Sequence, residues 1–81
     1  MKYVFGRRFA SELESLPTAI RRKFWKQLNY LLRDVRHPSL HAKKYDEVRG
    51  IWQARVDRNI RFYFLMEDDK YILLDIRKHP K

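Results

Sequence analysis

The stretch Gly50 to Tyr63, GIWQARVDRNIRFY, constrains the fold of this chain more than any other. Trp52, Ala54 and Val56 alternate with Gln53 and Arg55. After Asp57-Arg58-Asn59 the alternation resumes, with Ile60, Phe62 and Phe64 set against Arg61, Tyr63 and Leu65. A period of two on both sides of a polar break describes a β-hairpin with one apolar face and one arginine-bearing face. Centred on Arg58, the hairpin sets Arg55 directly across from Arg61. Like charges opposed on a sheet face cost roughly a few tenths of a kcal/mol, and a bound anion would remove that cost.

The flanking segments supply the rest of one core. Lys2-Tyr3-Val4-Phe5 reads as a first strand, ended by Gly6, whose missing Cβ lets the chain turn. From Arg8 to Leu16 the residues Phe9, Leu13 and Leu16 form one apolar stripe of a short helix, with Ser11, Glu12 and Glu14 turned away. Pro17 ends that helix and suits the first turn of the next, which runs to about Val35. Ile20, Phe24, Leu28, Leu31 and Val35 form its core stripe, and Arg22, Lys26, Asn29 and Arg33 a solvated basic one. The two helices make a hairpin over a sheet.

Arg36 to Arg49 reads as a loop. Pro38 pushes His37 out of helical conformation and Ser39 can start a turn. With His41, Lys43, Lys44, Asp46 and Glu47 it could wall a site beside the hairpin. The last strand is Tyr71 to Lys78, after the turn Glu67-Asp68-Asp69-Lys70. Its alternation points Ile72, Leu74 and Ile76 to the core, and Tyr71, Leu73, Asp75, Arg77 and then His79 the other way. Parity permits two registers against the preceding strand, pairing 67 with 71 or 66 with 70. The first sets Arg61 opposite Arg77 and gives a row of Arg55, Arg61 and Arg77; the second sets Arg61 opposite Asp75 as an ion-pair partner. The first is the favoured reading. The chain is thus an α+β fold: an N-terminal strand, a two-helix hairpin and a three-stranded antiparallel meander, with the helices packed on one sheet face.

At 81 residues this reads as a single domain over 1–81. Nineteen Lys and Arg against ten Asp and Glu give a net charge of +9, a strong field on so small a body, which points to nucleic acid or an acidic protein as partner. No apolar run approaches the roughly 18 residues of a membrane span. With no cysteine, a disulfide framework and a thiolate zinc site are both excluded, in keeping with a cytoplasmic protein. Met1 to Phe5 runs straight into Arg7-Arg8 and is too short for an export signal. His37, His41 and His79 form no metal-ligand spacing, so neither a metal nor any other cofactor is expected.

HPSLHAKKY, then GIWQARVDRNIRFYF, then YILLDIRKHPK resembles the RelE/ParE superfamily of small toxins from type II toxin–antitoxin systems. The resemblance covers nearly the whole chain in element and motif order. Its most specific part is Gly50, Trp52, Arg55, Val56 and Arg61, with an R-x-H ending at Arg77 and His79 as in the YoeB-like branch. It implies a RelE-like fold and a translation inhibitor: a ribosome-dependent, metal-independent mRNA endoribonuclease. It also implies a cognate antitoxin as partner, a monomer or weak homodimer when free, and a hetero-oligomer with that antitoxin. Arg61 matches the arginine that contacts the scissile phosphate, His79 the histidine used as general acid, and Lys43 and Lys44 the basic residues before the hairpin. Two departures stand out: no carboxylate occupies the place of the YoeB-like glutamate, Glu47 being near it but not aligned, and the chain stops at Lys81 without the C-terminal helix of some relatives.

Chemistry alone gives a compatible assignment. Cleavage by the 2′-hydroxyl needs a base, charge stabilisation at phosphorus and a proton for the departing 5′-oxygen. Arg61 and Arg55 suit the second need, because a guanidinium fork matches phosphate oxygens and stays charged. His79 suits the third. His41, or Lys44 with its pKa lowered by the positive surroundings, could serve as base. Arg77 completes the row of arginines, and Tyr63 and Tyr71 share that face and could stack on a base; Trp52 is a core residue. Two other readings remain open on sequence: a ParE-like gyrase-binding toxin without nuclease activity, and an attenuated member that mainly binds its antitoxin.

Overall fold

The central alternation folds into two antiparallel strands, β3 (Ile51–Arg55) and β4 (Ile60–Glu67), with Arg55 paired to Arg61 as the hairpin centre at Arg58 requires. The computed structural model describes residues 1–79; the chain end at Lys81 lies outside the described residues. Around the hairpin stand β1 (Lys2–Phe5), α1 (Phe9–Glu14), α2 (Thr18–Arg33), β2 (Lys43–Asp46) and β5 (Lys70–Lys78). The sheet order is β1-β5-β4-β3-β2, with β1 parallel to β5 and the other pairs antiparallel. The expected element order and α+β class hold. Two details differ.

First, the segment expected as a loop holds a 3-10 turn at Pro38–Leu40 and the strand β2, so the antiparallel part has four strands. Lys43-Lys44-Tyr45-Asp46 carries no apolar alternation because β2 is a sheet edge with mostly exposed side chains. Second, the register of β4 and β5 changes along the ladder. Tyr63 pairs with Asp75 but Phe64 with Leu73, which leaves Leu74 as an extra residue. This bulge flips the facing of β5 on its N-terminal side. Leu73 and Tyr71 are therefore buried in the core, whereas Ile72 and Leu74, expected there, are only partly buried. Tyr71 is lost as a stacking residue. On the other side of the bulge Arg61 faces Arg77, the favoured register, and the row Arg55–Arg61–Arg77 crosses three strands.

The core lies between one sheet face and the two helices. Phe24 of α2 packs edge-on against Phe62 of β4 at 5.5 Å between centroids, and against Phe9 of α1 at 5.3 Å. Leu13, Leu28 and Leu31 complete the helical side, and Ala54, Val56, Phe64 and Ile76 the sheet side. Each fully buried Phe or Leu contributes about 1.5–3 kcal/mol relative to exposure. Gly6 serves close approach: a Cβ there would stand 2.9 Å from the Leu73 carbonyl oxygen, which the Gly6 N–H already binds. Beyond Phe5 the free edge of β5 is covered by α1, where the Glu12 carboxylate accepts the Ile76 N–H at 3.2 Å. Glu12, expected to face solvent, is thus an edge cap. Among the described residues no helix is long and apolar enough to cross a membrane.

Candidate functional site

The helices cover one face of the sheet, and the arginine row occupies the other. There the strand ends and the loop before β2 enclose a cleft of about 410 Å³ lined by His41, Lys43, Gln53, Arg55, Arg61 and His79, with Ala42 between the first two. Lys43 pairs with Gln53 across β2 and β3. His79 is held by its own N–H, which binds the Asn59 carbonyl at 2.7 Å and extends the β4–β5 ladder past Lys78. His41 follows the 3-10 turn with a left-handed backbone, φ 46°. That conformation is uncommon outside glycine and turns the chain sharply into β2.

The two hairpin arginines differ in what they can bind. Arg61 is 7% exposed, and its Nη1 donates to the Asp57 carbonyl at 2.6 Å, the Arg58 carbonyl at 3.0 Å and the Ile60 carbonyl at 3.4 Å. It braces the hairpin turn from within. Burial, and then the neighbouring Arg55 charge, lower its proton affinity, but a guanidinium remains protonated at working pH. Asp57 opposes this field. Burial would raise its carboxyl, yet the Ile60 and Asn59 N–H groups, both at 2.8 Å, and Lys23 at 3.5 Å hold it below the usual carboxylate range. Arg55 is half-buried, and among the described residues its side chain makes no hydrogen bond or ion pair. The fork open to an anion is therefore Arg55, with Arg61 supplying charge from beneath.

A buried glutamine ties this cleft together. Gln27 sits on the core side of α2, 5% exposed. Its Nε2 donates to the Ser39 carbonyl at 3.1 Å and to the Arg55 carbonyl at 2.9 Å, and the Ser39 hydroxyl lies 3.2 Å from its Oε1. One side chain thus joins the helix, the turn that precedes His41 and the strand end that carries Arg55. Sequence reasoning missed it, although a signal exists: Gln27 is the polar interruption in the stripe of Phe24, Leu28 and Leu31. A polar residue kept on a core face must find partners there.

Of the eight residues expected at the site, five meet in the cleft: Arg61, Arg55, His79, Lys43 and His41. The other three lie elsewhere. Lys44 points to the opposite face, its Nζ 5.4 Å from the Trp52 ring centroid, because consecutive strand residues alternate sides. Trp52 itself packs at the border of the core. Tyr63 is buried under Arg77, whose guanidinium lies 5.0 Å above its ring, and both line a neighbouring groove. His37 stacks on Tyr30 at 3.8 Å and accepts the Ser39 N–H. It has a structural place.

Sequence comparison finds no protein-family model and no curated protein that matches the chain. Comparison of structures does. A YoeB/ParE toxin from Agrobacterium tumefaciens superposes with a TM-score of 0.83 at 15% identity, covering 99% of this chain and 100% of that one. The RelE–RelB complex of Pyrococcus horikoshii gives 0.79 at 18% identity over 95% and 92%. The YoeB dimer of Staphylococcus aureus gives 0.82 at 12% identity over 99% and 98%. With near-complete coverage in both directions, this chain has the fold of the RelE, YoeB and ParE toxins.

Proposed function

We propose that this chain, as one domain, is the toxin of a type II toxin–antitoxin system and cleaves mRNA on the ribosome without a metal. The observation that carries the reading is the meeting of Arg55, Arg61, His79 and His41 in one cleft on the uncovered sheet face. In this reading His41, rather than the outward-turned Lys44, takes the 2′-hydroxyl proton. The 2′-oxygen attacks phosphorus, Arg55 binds the phosphorane oxygens through its fork, and Arg61 adds positive charge beneath. The bond from phosphorus to the 5′-oxygen breaks, and His79 gives that oxygen its proton. The products are a 2′,3′-cyclic phosphate and a 5′-hydroxyl.

A cytoplasmic antitoxin with an acidic segment over the arginine row would neutralise the charge and block the cleft in one step. The similarity to a RelE–RelB complex supports such a partner. The test is cleavage of mRNA on translating ribosomes by the native chain, Arg55→Ala and His79→Ala. Loss of cutting by about 100-fold or more in both variants, with unchanged melting, is the expected result. No cutting by the native chain would overturn the nuclease reading and favour gyrase binding, and cutting that survives His79→Ala would remove the general acid assigned here.

A further inference from the structure

Beside the cleft, on the same sheet face, lies a second groove of about 370 Å³ whose lining includes Arg8, Tyr45, Arg49, Tyr63, Asp75 and Arg77. We propose that it holds a second nucleotide of the RNA strand and reads its base through the Asp75 carboxylate, with a preference for guanine. This rests on the RNA reading of the neighbouring cleft. Tyr63 is two residues from Arg61 on one strand and one face, so the groove begins roughly 7 Å along β4 from Arg61, and Arg77 of the arginine row lines it. A single strand leaving Arg55 would enter it.

The groove offers three kinds of contact in one place. Arg77 lies over the Tyr63 ring, and Tyr45, 55% exposed, meets that ring edge-on at 4.9 Å, so Tyr45 presents an aromatic surface on which a base can stack. Among the described residues the side chains of Arg8 and Arg49 are held only by loose ion pairs, to Asp75 at 3.7 Å and to Asp46 at 3.6 Å, and as exposed guanidinium groups they can turn to a phosphate. Among the described residues Asp75 Oδ1 is buried without a hydrogen-bond partner, beneath an Arg8 side chain that is 74% exposed and beside the Glu12 carboxyl of α1. A carboxylate accepts only, so it selects for paired donors. Guanine presents two adjacent N–H donors. Adenine and cytosine set an acceptor beside their amino group, and uracil flanks its N–H with carbonyls. An acidic peptide fits poorly, since its carboxylates would meet those of Asp46 and Asp75. A nucleotide satisfies both signs of charge.

The test is a titration of the ¹⁵N-labelled chain with GMP, AMP, CMP and UMP, and with a hexaglutamate peptide, following backbone amides. GMP is expected to shift Arg49, Tyr63 and Asp75, with each other nucleotide at least about fivefold weaker there. Asp75→Asn should abolish that preference, and Arg49→Glu, at an exposed position, should weaken all four nucleotides. Arg55→Ala should leave the groove response intact. Equal binding of the four nucleotides, shifts confined to His41, Arg55 and His79, or a groove response to the peptide alone would overturn the proposal. Binding is read without cleavage, so the two readings fail separately: cutting without groove binding removes the groove, and groove binding without cutting removes the nuclease.

Discussion

Arg55 and Arg61 are the same residue type, paired across one turn, yet their surroundings divide their work. Arg61 has its Nη1 committed to three carbonyls of the turn, whereas the Arg55 guanidinium has no partner among the described residues. Arg61→Ala should therefore lower stability by about 2 kcal/mol, the cost of leaving the partly buried Asp57 and Arg58 carbonyls without their charged donor. Arg55→Ala should leave denaturant midpoints nearly unchanged; comparing urea unfolding of the two variants decides it. Glu12 makes a second case. Burial raises its carboxyl above the ordinary range and the Asp75 charge adds to this, against the Ile76 N–H and Arg77. Between the ordinary carboxyl range and the raised value the native state holds a proton that the unfolded chain releases, so this contribution is fully present below the ordinary range and is lost as pH rises through the raised value. Glu12→Gln keeps an acceptor for the Ile76 N–H and cannot ionise. Its melting temperature should fall less than the native chain's as pH rises from about 4 to 7; parallel curves would show that Glu12 does not titrate in this window.

At the scale of elements, the cleft depends on a turn and a strand end that belong to no common ladder. Gln27 joins them through the Ser39 and Arg55 carbonyls. Gln27→Leu conserves bulk but leaves both carbonyls unpaired, which should cost about 2 kcal/mol. It should also displace Arg55 and His41, lowering kcat for cleavage more than it raises KM. A variant that loses stability but keeps kcat would show the clip to be structural only. The bulge at Leu74 is the other decisive local feature, since it reverses the facing of half of β5 while preserving the opposition of Arg61 and Arg77. Periodicity alone cannot place such a bulge, because Tyr71, Ile72, Leu73 and Leu74 form an unbroken apolar run in which either parity reads as a core face.

At the scale of the molecule, a charge of +9 acts on any polyanion, and salt dependence counts the contacts made. If Arg55, Arg77 and Arg49 each neutralise one phosphate, the affinity for a non-cleavable single-stranded RNA should fall roughly 20-fold between about 50 and 200 mM salt. Arg49→Glu should flatten the slope of log affinity against log salt by about 0.7 or more, as measured by fluorescence anisotropy. An unchanged slope would place Arg49 outside the bound strand's path.

The sequence by itself determined the α+β class, the hairpin centred on Arg58 and the helical core stripes, because alternation and turn chemistry are local and act before any distant contact forms. It also marked five residues that come to share one cleft. Only the tertiary structure made an edge strand of Lys43–Asp46, buried Tyr71 through a bulge, turned Lys44 away and gave Gln27 its two carbonyls. Each of these depends on a partner remote in the chain, and a partner of that kind leaves no local period to read. Tertiary packing likewise divided Arg55 from Arg61, since availability to a ligand is decided by which carbonyls a guanidinium has already met.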